Sequence, residues 1–221
     1  MKTGTIIDFD VDKRIKKAVL ESLDIYLNKL RSGFLETGLE DAFKMQLANI
    51  INTQLAQHTY FMDERFVVLF EKNMPINGNN DYIDIVIKYQ KGTENRYHFI
   101  ELKYKKISDS APDLGVINSY IDMFNLDSHK KNTKDVHGCY FIFLTDLKTY
   151  LNKPNKGTRV QLPMHDGAKI KNNVNYNVTG KSAKKEAKKY PNGFVFSNDH
   201  EIEYNQLNLD GRTLWYFFEE M

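Results

Sequence analysis

Two short runs rich in β-branched and aromatic residues, Tyr82 to Ile87 and His98 to Tyr104, constrain this chain more than any other feature. Each reads as a strand. Between them lies Gln90-Lys91-Gly92-Thr93-Glu94-Asn95, polar and with glycine where a tight hairpin turn needs it. With Gly92-Thr93 as a two-residue loop, Lys91 pairs with Glu94 and every facing pair along the hairpin sums to the same index. Asp84 then falls opposite Glu101. Directly opposed side chains share a face with Cβ atoms ~4.5–5.5 Å apart, where unscreened like charges destabilise the sheet. Lys103, two residues on from Glu101, joins that face. Two carboxylates and an ammonium on strands this apolar suggest a site for a hard divalent cation.

Composition is that of a folded globular protein: 41% of the 221 residues are hydrophobic and 13% aromatic, enough to bury a real core in one domain or one with a sizeable elaboration. The single Cys139 rules out an internal disulfide and leaves too few thiolates for a structural zinc site. Met1 to Thr5 leads into charged sequence without an apolar stretch. The longest apolar runs, Cys139 to Leu144 and Leu214 to Phe218, are far too short to cross a bilayer. The expectation is a soluble, cytoplasmic protein with no membrane partner.

A net charge of +2 hides an asymmetry. Residues 151–190 carry ten basic side chains against Asp166 and Glu186, so the rest of the chain is net acidic. That distribution is the footprint of a polyanion binder; a solvated surface lobe is the plainer reading of the same charges. Lys181, Lys184, Lys185, Lys188 and Lys189 fall at the spacing of one helix face, stopped by Pro191-Asn192-Gly193.

Apolar periodicity orders the remaining elements. Val11 to Leu30 is a helix ended by Ser32-Gly33, and Leu39, Phe43, Leu47, Ile50, Ile51 and Leu55 mark a second. Arg65 to Glu71 is a strand, followed by the hairpin. Leu114, Ile117, Tyr120, Ile121 and Phe124 mark a third helix opened by Asp113, and Cys139 to Thr145 is a buried strand. Beyond residue 150, Val160, Leu162 and Met164 alternate, Asp166-Gly167 signals a hairpin, and Ala168 and Ile170 resume the alternation. Asn172 to Asn177 reads as a loop or weak strand, and the tail through Leu214 to Phe217 returns to the core. Residues 1–150 thus form a core, and residues 151–221 a basic elaboration with a β-hairpin and helix, all within one structural domain. The fold class is α/β, with a mixed sheet flanked by helices.

This order, α, β, β, β, α, β, with an aspartate on one hairpin strand and Glu-X-Lys on the next, resembles the PD-(D/E)XK superfamily of restriction endonuclease-like nucleases. The matching residues are Asp84 and Glu101-Leu102-Lys103, and the likeness in element order spans about Leu39 to Thr145. No proline precedes Asp84, where the motif's name expects one. The resemblance implies a metal-dependent endonuclease hydrolysing phosphodiester bonds. Mg²⁺, with Mn²⁺ as substitute, would be held by Asp84, Glu101 and the backbone carbonyl of Leu102. A glutamate from the preceding helix would assist. Glu40, at the edge of the stripe set by Phe43 and Leu47, is that candidate, and Glu36, one turn earlier, competes with it. Lys103 would act at the phosphate. Lys105, Lys106 and the Lys181 to Lys189 run would contact nucleic acid, DNA before RNA. A homodimer is also admitted. The alternatives are a nuclease-like domain that binds nucleic acid or a protein partner without cutting, and an RNA nuclease.

Other constellations carry less. Thr179-Gly180-Lys181-Ser182 looks like the end of a phosphate-binding loop, but Asn175 stands where its first glycine belongs. The six histidines show no metal-ligand spacing and most read as surface or turn residues, with His98 on the face opposite Glu101 and outside the site. Cys139 reads as a buried inert thiol. Glu71 at a strand end, and Tyr120 and Asp122 on the third helix, are further residues that would approach the site.

Overall fold

The computed structural model describes residues 10–36, 38–76, 80–109, 112–154, 162–178 and 190–221. Helix α1 (Val11–Arg31) starts where the Asp10 carboxylate accepts the Asp12 amide at 3.0 Å, and helix α2 is Glu40–Gln57. Strands β1 (Glu64–Asn73), β2 (Tyr82–Lys91) and β3 (Glu94–Lys105) run antiparallel in sequence. Helix α3 (Pro112–Asn132) then crosses to β4 (Val136–Thr145), which lies parallel to β3. A helix between two strands is the usual way to bring them parallel. Pro112 rather than Asp113 opens α3, a position where its missing N–H costs nothing.

After a small lobe built from β5 (Ala168–Ile170), β6 (Asn175–Tyr176), β7 (Phe194–Val195) and β8 (His200–Ile202), the chain comes back as β9 (Asn205–Leu209) and β10 (Arg212–Glu220). These complete a six-stranded mixed sheet in the order β1-β2-β3-β4-β10-β9. The tail's apolar residues therefore enter the sheet itself: Phe217 faces Phe143 across the β4–β10 ladder, their rings stacked at 5.5 Å.

Both faces of the sheet are covered, which explains why β4 is buried along nearly its whole length. On one side α1 and α2 pack on Ile85, Ile87, Ile100, Leu102, Ile142 and Leu144. On the other, α3 and the small lobe cover Val86, Phe99, Phe141 and Phe143. Each large apolar side chain buried this way contributes about 1.5–3 kcal/mol relative to exposure. The lobe is fixed to α3 by rings: Phe194 lies 5.9 Å from Tyr120 and 5.6 Å from Phe124.

One local expectation fails. The Asp166-Gly167 turn does not join two paired strands, because β5 pairs with β8. The Gly167 amide donates to the Ile202 carbonyl at 2.8 Å, and Leu162 and Met164 are buried without forming a strand. A partner more than thirty residues away outcompetes the local turn signal. Val160 and the Lys181 to Lys189 segment lie outside the described residues. No helix among those described is long and apolar enough to cross a membrane.

Candidate active site

The hairpin has the register that its turn demands. Lys91 pairs with Glu94, Gly92 adopts φ 58, which glycine alone reaches without strain, and the ladder runs in step to Ile85 opposite Ile100. There the β2–β3 pairing stops, one residue short of Asp84 and Glu101, while β3 continues beside β4 as far as Lys105. The strands therefore part at the acidic pair. Beyond the parting, two β3 amides on the β2 side are taken over by carboxylates. Leu102 N–H donates to Asp84 Oδ2 at 2.9 Å, and Tyr104 N–H donates to Glu40 Oε2 at 2.9 Å. Asp84 and Glu40 are thus held along β3 by the amides left free where the hairpin opens.

Glu40 opens α2 and reaches the sheet, whereas Glu36 is exposed in the connection before it. Geometry favours Glu40 as the helix carboxylate of this cluster. From the other side Asp122 of α3 approaches Lys103, its Oδ2 2.7 Å from Nζ, while Glu40 Oε1 lies 3.7 Å from the same ammonium. Lys44, one turn along α2 from Glu40, places its Nζ 2.8 Å from Asp84 Oδ1 and 3.0 Å from Glu71 Oε1. Asp84, Glu101, Asp122 and Glu40 therefore gather around two ammoniums, Lys44 and Lys103. Carboxylates are in excess.

That excess shows in the protonation of the buried groups. Burial raises the Glu101 carboxyl well above the usual range, and the nearby Asp122 and Asp84 charges push it the same way. Asp122 is pushed up to about 6, chiefly by burial, against the pull of Lys103. Burial would lower the Lys103 pKa, but Asp122 and Glu40 hold it above the ordinary lysine value. Lys44 is raised in the same manner by Asp84 and Glu71, again against burial. A neutralised acid beside an ionised one is the state that like charges adopt when no extra cation balances them.

Among the residues singled out from sequence, Asp84, Glu101, Lys103 and Glu40 come together, and Asp122 joins them. Leu102 lies between, fully buried. Glu71 approaches only through Lys44, with its own side chain 66% exposed. Tyr120 is elsewhere, in the core, its hydroxyl donating to the Pro163 carbonyl at 2.7 Å. Lys105 and Lys106 continue from β3 just past the cluster, with the Lys106 ammonium 5.4 Å from the Tyr104 ring centroid. Lys169 and Lys171 of the basic segment are occupied by Glu201 and Asp199 at 3.2 and 2.7 Å.

The histidines depart from expectation. His58, His98, His129 and His200 are buried, each with a carboxylate partner: Glu21, Asp12, Asp81 and Glu219 at 2.8–3.1 Å. Those bonds make burial of an imidazole tolerable. Cys139 is buried in β4, and burial pushes its thiol up to about 12, consistent with an inert side chain. Lys44 was missed. On α2 it reads as an ordinary polar position, and its role appears only once β1 and β2 are placed beside the helix.

No family model, curated protein or solved structure matches the chain. Among the described residues, no three His, Cys, Asp or Glu side chains already converge as a preformed metal centre. The donor chemistry nevertheless fits a hard cation. Mg²⁺ typically takes only one or two carboxylates and completes its shell with water and substrate oxygens, and Asp84 and Glu101 are two such carboxylates, Asp84 paired with Lys44 and Glu101 pushed toward its neutral form by burial and the neighbouring acids.

Proposed function

We propose that this chain is a Mg²⁺-dependent endonuclease of restriction endonuclease-like fold, acting on phosphodiester bonds of DNA. The observation that carries this reading is the excess of carboxylate where β2 and β3 part, Glu101 buried and Asp84, Asp122 and Glu40 partly so, with Lys103 on the strand beside them. Structural ion pairs balance their charges; this cluster does not. Perturbed protonation of that kind concentrates at functional sites.

Asp84 and Glu101 would hold the cation, with the Leu102 carbonyl and Glu40 as the further oxygen donors that the resemblance suggests. When bound, Mg²⁺ supplies charge neutralisation at phosphorus and a more acidic coordinated water. The chain's own groups do the positioning. Asp84 is fixed by the Leu102 amide and Glu40 by the Tyr104 amide, so neither must be ordered when substrate arrives. Lys103, oriented by Asp122, presents a point charge to the phosphate and to the attacking water. Its ammonium stays protonated, so it serves as an electrostatic group and hydrogen-bond donor rather than as a base. Lys105, Lys106 and the Lys181 to Lys189 run would neutralise flanking phosphates, which makes affinity fall steeply with salt.

The test is cleavage of plasmid DNA and of RNA with Mg²⁺ by wild type, Asp84→Ala and Lys103→Ala. Each substitution is expected to lower the rate by ~10²–10⁴-fold. Cleavage that survives both would remove this site from the reaction. A folded wild type that cuts neither substrate with either Mg²⁺ or Mn²⁺ would favour a nuclease-like domain that binds without cutting, and RNA cleavage alone would favour the ribonuclease reading.

A further inference from the structure

Resting on that reading of the site, we infer that Lys44 is a built-in competitor for the divalent cation, a side chain whose ammonium occupies the cation's place beside Asp84 until the cation displaces it. Lys44 comes from α2, not from the hairpin, and its side chain is only 9% exposed. It touches three carboxylates arranged from the inside outwards. Asp84 Oδ1 lies 2.8 Å away on the buried side, while Glu71 Oε1 at 3.0 Å and Asp41 Oδ1 at 3.7 Å lie on the solvent side, with side chains 66% and 82% exposed. The ammonium therefore has an inner and an outer berth. On leaving Asp84 it keeps two acidic partners, so displacement does not strand a charge in the protein interior.

The backbone around it is shaped for this contact. Glu71 adopts φ 44, a left-handed conformation uncommon for a side chain of its kind. The β1–β2 ladder pairs Phe70 with Ile85 and Lys72 with Ile83, but is broken between them, where Glu71 would face Asp84. By register Glu71, Asp84 and Glu101 fall at one level of three neighbouring strands, where the β1–β2 ladder skips its pair and the β2–β3 ladder has ended. Strain kept at one residue of such a row is what a functional constraint leaves behind. Lys103, by contrast, is committed to Asp122 and Glu40. The two lysines divide the work: Lys103 stays with the reaction, and Lys44 sets how much cation the site requires before it opens.

Mn²⁺ binding, measured from the free-ion paramagnetic resonance signal, distinguishes the cases. The proteins compared are wild type, Lys44→Met, Lys44→Gln, and each of the three carrying Asp84→Asn. Met keeps the apolar stem of the lysine and Gln keeps a polar end, so at least one folded variant is expected by circular dichroism. Removal of the competing ammonium should tighten Asp84-dependent Mn²⁺ binding by roughly tenfold or more. Unchanged or weaker Mn²⁺ binding in the folded Lys44 variants, with Asp84 still required, overturns the competitor role while leaving the cation site intact. Binding that is indifferent to Asp84→Asn in every background overturns the cation site and the competitor together.

Discussion

Two buried ionic clusters sit on the same sheet and behave in opposite ways. At the start of β1, Arg14 and Glu64 form a bidentate pair at 2.9 and 2.6 Å. Arg14 also donates to the His58 carbonyl, and Glu64 accepts the Tyr60 and Phe61 amides and the Tyr89 hydroxyl. One cation meets one anion. Burial alone would raise the Glu64 carboxyl, yet Arg14 and the two amides hold it down to about 2. At the parting of β2 and β3, four carboxylates meet two ammoniums, and the shifts of Glu101 and Asp122 run upward. A balanced cluster locks α1 to the sheet; the unbalanced one is where the proposed cation would bind. The sign of the shift separates the two better than burial does, since Glu64 and Glu101 are 8% and 5% exposed.

Substitutions break the comparison in descending order of effect. Arg14→Met leaves Glu64 buried without its partner and should cost about 3–5 kcal/mol in urea unfolding. A loss below about 1 kcal/mol would mean the pair is not structural. A third network, His98 with Asp12 and Tyr140, belongs on the balanced side, and it is reached through Gly138. A Cβ at that position would meet His98 Nδ1 at 2.2 Å and the Tyr140 hydroxyl at 2.6 Å, so Gly138→Ala should destabilise by about 1–3 kcal/mol. Glu101→Gln should go the other way. Relief of like charge at a functional cluster is expected to stabilise by about 0.5–2 kcal/mol while removing cation binding. Destabilisation there would place Glu101 with the structural pairs.

In pH dependence the two clusters contribute with opposite sign. Glu64 is depressed from 4.5 to about 2, so its stabilisation is present above the unfolded value and is lost as pH falls through that range. Asp122 is raised from 3.8 to about 6, so the folded state holds the extra proton, and stability declines as pH rises from about 4 through 6. Thermal unfolding of wild type and Asp122→Asn over pH 3–8 separates them: the upper slope should flatten in the variant and the acid slope should persist. An unchanged upper slope would exclude Asp122 as its source.

The central hairpin was legible in the sequence because a two-residue glycine turn fixes register, and that register brings Asp84 and Glu101 to the point where the pairing ends, rather than into a ladder pair. Glu40 was legible as a helix residue at the rim of an apolar stripe. Lys44 was not, since its partners Asp84 and Glu71 lie on strands 40 and 27 residues away in a chain whose helix pattern it does not disturb. The hairpin expected around Asp166-Gly167 failed for a related reason. Only its second arm, β5, forms a strand, three residues long, and that strand pairs with β8 instead. The return of the tail to the core could be read from its apolar residues, but not its place between β4 and β9, on the edge of β4 that β3 leaves open.

The most direct measurement is calorimetric titration of Mg²⁺ into wild type and Glu101→Gln near neutral pH, in two buffers of different ionisation enthalpy. If the acidic excess at the parted strands is a cation site, wild type binds Mg²⁺ and releases protons as the raised carboxyls ionise, and Glu101→Gln loses both the binding and the release. Equal Mg²⁺ binding by the two proteins, or no binding by a folded wild type, would contradict the account.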